Sequence, residues 1–160
     1  MNISLSNLFL KRDAESRSLS AENFAGEKGK GGMATLETTL PPAPAQSGRE
    51  LGIGWKLSPA IPIPRGQTVA IMDHDGPGVI RHLWMTLDQK FFRNVIVRMY
   101  WDGETTPSVE CPIGDLFCQC WTTPTKVLSI PINVNPTKGM NSFLPMPFRK
   151  HAKITIENQA

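Results

Sequence analysis

Four carboxylates lie close together near the middle of the chain, in residues 100–117, which read YWDGETTPSVECPIGDLF. The stretch contains the carboxylates Asp102, Glu104, Glu110 and Asp115, and the aromatic side chains Trp101 and Phe117. Carboxylates can bond hydroxyl groups or transfer protons, and aromatic rings can stack on the apolar faces of sugars. The residue types therefore favour carbohydrate chemistry. An acidic hairpin with a packed tryptophan would contain the same residues, and this alternative stays open.

A second set of candidate contact residues lies in the polar segment 17–34, RSLSAENFAGEKGKGGMA. The segment lacks apolar periodicity, which predicts a loop, and its glycines would let the backbone approach a ligand closely. A flexible linker is the alternative. The segment is not a phosphate-binding loop, because it has no Lys-Ser or Lys-Thr pair and no preceding apolar strand. The candidate contact residues are Arg17, Ser20, Glu22 and Asn23.

The elements that must position these residues are predicted to be short β-strands. Fourteen prolines and 13 glycines among 160 residues disfavour long helices. Strands are predicted at residues 67–72, 79–87, 94–101, 108–111, 127–134, 141–148 and 150–158. This pattern predicts an all-β fold, a jelly-roll-like β-sandwich, at residues 51–160. A long loop-rich N-terminal region is predicted at residues 1–50.

Alternation along the strands predicts which side chains fill the core. In the strand at 94–101, the apolar residues at 95, 97, 99 and 101 share one face. The other face is partly apolar, so we expect a central strand that is covered on both sides. In the last strand, residues 152, 154 and 156 are predicted to face inward. Trp84 and Trp55 are also assigned to the core, with a sugar platform as the alternative for Trp55.

Composition limits the classes of partner. The formal net charge of +3 is small and the basic residues are scattered, so no nucleic-acid partner is predicted. No apolar run approaches the ~20 residues of a membrane helix, and the N-terminus shows no secretion signal. Three cysteines, Cys111, Cys118 and Cys120, form neither a metal-binding nor a disulfide pattern. We expect free thiols, a cytoplasmic protein, and neither a metal nor another cofactor.

Six ordered phrases together resemble one known family. They are SRSLSAENF (16–24), GEKGKGGMAT (26–35), LGIGWKLSPA (51–60), DGPGVIRHLWMTL (75–87), YWDGETTPSVECPIGDL (100–116) and LPMPFRKHAKITIENQ (144–159). The chain resembles glycoside hydrolase family 172, first catalogued as the domain of unknown function 2961. The resemblance implies two tandem jelly rolls, trimer-based homo-oligomers, and retaining, exo-type hydrolysis of fructofuranoside or arabinofuranoside linkages by two glutamates.

The resemblance covers only the first half of a family member. The family's catalytic glutamates lie in second-half phrases similar to Trp-Trp-Gly-Glu-Gly-Glu and Gly-Thr-Glu-Asp-Tyr, and neither phrase occurs here. The chain is therefore expected to be the N-terminal jelly roll, truncated at its C-terminus, without catalytic residues and inactive alone. Asp102, Glu104 and Asp115 then become candidates for shaping a sugar site. A non-catalytic jelly-roll protein that binds carbohydrate or forms an assembly is the alternative. The sugar, the linkage and the oligomer number stay open.

Overall fold

The computed structural model describes residues 9–11, 13–37, 46–58 and 60–160. In chain order its strands are β1 (Thr68–Asp75), β2 (Gly78–Ile80), β3 (Leu83–Met85), β4 (Val95–Trp101), β5 (Val109–Pro112), β6 (Val127–Leu128), β7 (Ile132–Val134), β8 (Met140–Ser142), β9 (Met146–Phe148) and β10 (His151–Asn158). Helical structure in the described residues is limited to α1 (Ile113–Leu116) and two 3-10 segments, Gln46–Leu51 and Gln89–Phe91. No described helix is long and apolar enough to cross a membrane.

The strands form two four-stranded antiparallel sheets that are joined by a short pair. The first sheet has the order β1-β10-β4-β5, the second has the order β3-β8-β7-β6, and β2 pairs with β9. Because β1, β2 and β3 pair in turn with β10, β9 and β8, one antiparallel ribbon wraps across both sheets. The predicted β-sandwich is confirmed, and this wrapped ribbon is its jelly-roll-like feature.

Three predicted strands are each divided in two, and bends in the ribbon explain two of these divisions. The predicted strand 79–87 is β2 and β3, and 141–148 is β8 and β9, because the ribbon passes from one sheet to the other between them. The predicted strand 127–134 is the β6–β7 hairpin. At the other end of the β2–β9 pair, beside β1 and β10, an added Cβ on Gly78 would lie 2.5 Å from the ring of Phe148, so only glycine fits there without displacing that ring.

The core lies between the two sheets, as the alternation predicts. The residues at 95, 97 and 99 of β4 and at 152, 154 and 156 of β10 are all buried. On the other face of β4, the half-buried Arg98 pairs with Glu110 of β5 at 2.8 Å and Glu157 of β10 at 2.6 Å. The position of β4 between two strands is confirmed, but the prediction that it is covered on both sides is wrong, because this outer face carries ion pairs.

The N-terminal region is described only in part. Residues 13–37 contain no strand or helix in the structure, apart from a single bridge between Ser20 and Asn23. Residues 1–8, 12, 38–45 and 59 lie outside the described part. The division of the chain at residue 50 therefore stays a prediction.

Candidate functional site

The first predicted carboxylate, Asp102, holds two distant parts of the chain together. Its Oδ1 accepts hydrogen bonds from the backbone N–H groups of Arg149 at 2.8 Å, Lys150 at 2.7 Å and His151 at 3.3 Å. Its own N–H donates to the carbonyl of His151 at 2.8 Å. Asp102 has a φ of 55° and Gly103 a φ of 92°, which produce the tight turn after β4. The carboxylate therefore fixes this turn against the start of β10.

The contacts of Asp102 predict a specific loss of stability in acid. The backbone N–H groups, that of Lys150 foremost, hold the pKa of Asp102 below its usual 3.8. The carboxylate therefore stabilises the fold above that pH, and this contribution is lost as the pH falls through the lowered folded-state pKa. Asp102→Ala is expected to lower the urea midpoint near neutral pH, with the difference from the unchanged protein shrinking below about pH 3.8.

Asp75 offers a matched control for this experiment. It is an exposed aspartate at the end of β1 whose carboxylate has no hydrogen bond among the described residues. Asp75→Ala should change the urea midpoint little at any pH. An Asp102→Ala effect of the same size at about pH 7 and pH 3 would contradict the assigned role, since it would not depend on ionisation.

The other three carboxylates of residues 100–117 also have partners within the fold. Glu104 accepts from the Ser108 hydroxyl at 2.7 Å and from the Trp101 N–H at 3.2 Å, which ties the β4–β5 connection together. Asp115 forms an ion pair with Arg93, and Glu110 forms one with Arg98. Each of the four therefore has a structural explanation, and a sugar contact by Asp102, Glu104 or Asp115 stays a prediction.

The rings of Trp101 and Phe117 in the same stretch do not form a sugar platform. Phe117 is fully buried in the core, so it cannot stack on a ligand. Trp101 is half-buried and lines a cavity of about 290 Å³ between the sheets, with Met99, Leu144 and Met146 among its other walls. Ser142 is the one polar residue of that lining, so the cavity offers an apolar surface with few partners for sugar hydroxyls.

The predicted polar loop is organised by the side chain of Asn23, which is buried. Its Nδ2 donates to the carbonyls of Ser18 at 3.2 Å and Glu27 at 3.0 Å, and its Oδ1 accepts from the Glu27 N–H at 3.0 Å. Ser20 pairs with Asn23 through both backbone groups, and Arg17 forms an ion pair with Glu15. Asn23, Ser20 and Arg17 thus make contacts within the loop itself.

Glu22 joins this loop to the segment that leads into the sandwich. Its Oε1 accepts from the backbone N–H groups of Leu57 and Ser58, each at 2.5 Å. The N–H of Gly54 also donates to the carbonyl of Gly32 at 2.8 Å. Glu22 is therefore a docking contact for the loop. Ligand contacts by Arg17, Ser20, Glu22 and Asn23 stay predictions.

The second sheet has an aromatic outer surface that the sequence did not reveal. Its outward residues on and beside the strands form what we term the Trp84 face: His82, Trp84, Leu128, Asn133, Asn141 and Phe143. Trp84 is 48% exposed and Trp55 is 56% exposed, so the assignment of both to the core is wrong. Lys56, from the segment that Glu22 holds, places its Nζ 5.6 Å from the Trp84 ring centroid. The polar loop therefore lies beside this face.

The region that contains these strands identifies the family. The family model described as the GH172 first beta-sandwich domain matches residues 61–160, which is more than half of the chain. The chain belongs to glycoside hydrolase family 172. The matched range includes all ten strands, the four carboxylates of residues 100–117 and the six residues of the Trp84 face. None of the curated proteins matches the chain.

The polar loop lies outside the matched part of this family-172 sandwich, so its candidate residues rest on the sequence resemblance alone. Within the described ranges, no three His, Cys, Asp or Glu side chains come together in a group that could hold a metal ion. The thiols of Cys111, Cys118 and Cys120 are free. Burial raises the pKa of Cys111, and the nearby Asp115 adds to that effect.

Proposed function

We propose that this family-172 sandwich is the N-terminal part of a retaining, exo-type glycoside hydrolase that acts on fructofuranosides or arabinofuranosides, and that it does not hydrolyse them alone. The proposal rests on the match to the first sandwich of the family. It is supported by the carboxylates of residues 100–117, which bind other groups of the fold. A carbohydrate substrate follows from membership of the family. Trimer-based assembly is part of the proposal.

The requirements of a retaining glycosidase support the proposal that the isolated chain does not hydrolyse furanosides. A retaining glycosidase needs an acid/base and a nucleophile whose carboxyl groups lie about 5–5.5 Å apart across the bond that breaks. In residues 100–117, Asp102 binds three backbone N–H groups, while Glu110 and Asp115 each bind an arginine. Each of these carboxylates therefore has at least one oxygen engaged by the fold. The glutamate phrases of the family's second half are missing from the sequence.

An assay with chromogenic glycosides tests the proposal. The purified chain should release no nitrophenol above a buffer blank from 4-nitrophenyl arabinofuranoside or fructofuranoside. Co-expression with a second family-172 sandwich that carries both glutamate phrases should give release from the furanosides, with retained anomeric configuration by NMR. Furanoside hydrolysis by the chain alone would contradict the inactive state, and a preference of the combined protein for pyranosides would contradict the substrate class.

A non-catalytic sandwich that binds carbohydrate or assembles is the second candidate. The exposed rings of the Trp84 face favour it, because large exposed apolar surfaces of folded domains commonly mark interaction sites. The combined assay separates the two candidates, since a non-catalytic protein would give no release with or without a second sandwich.

A further inference from the structure

The Trp84 face is a row of side chains that cross-strand pairing places next to one another. Trp84 of β3 pairs with Asn141 of β8, Asn141 pairs with Asn133 of β7, and Asn133 pairs with Leu128 of β6. The neighbours of these residues along each strand fill the core, so the row points outward. The result is a ring, two amides and an aliphatic side chain in line across the full width of the sheet.

Contacts within the face fix the side chains of His82, Asn141 and Phe143. The rings of His82 and Phe143 stack with their centroids 4.7 Å apart and their planes 8° from parallel. The Nε2 of His82 lies 3.0 Å from Asn141 Oδ1. Asn141 Nδ2 donates to the carbonyls of Asn133 at 3.3 Å and Gly139 at 3.2 Å. These three side chains would need little further ordering on binding, which lowers their share of the entropic cost of association.

Other polar groups of the face are left free to bind a ligand. The side-chain amide of Asn133 and the indole N–H of Trp84 make no hydrogen bond among the described residues. Trp84 and Phe143 are each 48% exposed. Lys56 adds three donors above the Trp84 ring. The four strands of this sheet place no Asp or Glu on the face, so it has no acid to break a glycosidic bond.

We propose that the Trp84 face is a non-catalytic binding site for a neutral oligosaccharide. The proposal rests on the carbohydrate binding named above as the second candidate, and it adds the surface and the residues that would bind the sugar. The CH groups of a sugar ring would pack on the exposed part of the Trp84 ring once the Lys56 side chain swings aside from it, and the sugar hydroxyls would bond Asn133 and Lys56. A protein partner fits less well, since two amides and an ammonium lie among the rings and each would have to be matched on desolvation. Sugar hydroxyls supply both donors and acceptors in the same plane as an apolar ring face.

Calorimetric titration of the full chain tests the site. The probes are linear arabino-oligosaccharides, inulin-type fructo-oligosaccharides and cello-oligosaccharides. At least one series should give saturable heat, and Trp84→Ala should weaken that binding tenfold or more, with Trp84→Phe restoring part of it. The alanine variant should keep the circular dichroism spectrum of the unchanged protein, while its thermal midpoint falls because the buried half of the Trp84 ring is lost. Asn133→Ala should weaken binding less.

Trp121→Ala is the matched control, because Trp121 is 78% exposed but lies in the loop after α1, outside the Trp84 face. It should leave the affinity unchanged. Absence of saturable heat with all three series would overturn the proposal, as would an equal loss in Trp121→Ala. Light scattering that showed a dimer abolished by Trp84→Ala would also overturn it, by assigning the face to a second copy of the chain. None of these outcomes depends on hydrolysis, so the site and the proposed function can fail separately.

Discussion

Replacing Gly114 by alanine is expected to lower the free energy of unfolding by about 3 kcal/mol. An added Cβ would lie 2.5 Å from the carbonyl oxygen of Gln119 and 2.9 Å from the Cβ of Phe92. The first neighbour is a backbone atom, so rotation of a side chain cannot relieve the contact. Gly114 is also fixed from both sides, since its N–H donates to the Phe92 carbonyl at 3.0 Å and its carbonyl accepts from the Gln119 N–H at 2.7 Å.

Urea unfolding monitored by tryptophan fluorescence measures this change, and Gly31→Ala is its control. A Cβ at Gly31 would meet no heavy atom within 4 Å, and its φ is not in the left-handed region, so the free energy of unfolding should change by less than about 0.5 kcal/mol. Equal urea midpoints for the two variants would show that the turn at α1 can widen. The close packing assigned to Gly114 would then be wrong.

The strands that the sequence predicted best are those with strict alternation and neighbours on both sides. The pattern of β10, with apolar residues at 152, 154 and 156, is local information, because successive side chains of any strand point to opposite faces. The position of β4 between two strands was predicted from apolar residues on both of its faces, and it is confirmed. The bends of the ribbon could not be predicted, since they depend on which strands pair across the sandwich. A strand candidate such as 79–87 has the same sequence pattern whether it stays in one sheet or crosses to another.

The roles of the carboxylates depend on partners far away in sequence. Asp102 binds the N–H of a residue 47 positions later, and Glu22 binds two N–H groups at least 35 positions later. Residue types and spacing indicated that these side chains make polar contacts, but they did not identify the groups that the carboxylates bind. The sequence around an Asp-Gly turn is the same whether the carboxylate accepts hydrogen bonds from sugar hydroxyls or from backbone amides. The folded chain shows which donors lie near it, and near Asp102 these are backbone amides.

Trp84 was assigned to the core, although the sequence around it contains part of the information that places it on the outer face. Leu83, Trp84 and Met85 are three consecutive apolar residues, and alternation requires that the middle one oppose the outer two. Two inward side chains bury more apolar surface than one, which favours Leu83 and Met85 inside and Trp84 outside. The exposed face was therefore accessible to sequence reasoning, whereas the amides beside it, from β7 and β8, required the pairing of strands.

Phe117→Ala is expected to lower the free energy of unfolding by about 3–5 kcal/mol, the cost of deleting a fully buried aromatic ring and leaving a cavity. Phe117 follows α1 directly, and its N–H donates to the Gly114 carbonyl at 3.1 Å, so the backbone cannot easily collapse into the space. Phe117→Leu keeps most of the apolar volume and should cost less. Chemical unfolding of the three proteins under the same conditions measures both differences.

The same variants decide between two roles for this ring, a core residue and a stacking surface for sugar. A core role requires that Phe117→Ala reduce stability, while Trp121→Ala, which removes an exposed ring from the same loop, changes the free energy of unfolding by no more than about 0.5 kcal/mol. A stacking role requires the opposite, an unchanged urea midpoint with weaker oligosaccharide binding. Because Phe117 has no exposed surface, we expect the first result. Phe117 would then contribute to the family-172 sandwich through packing in its core.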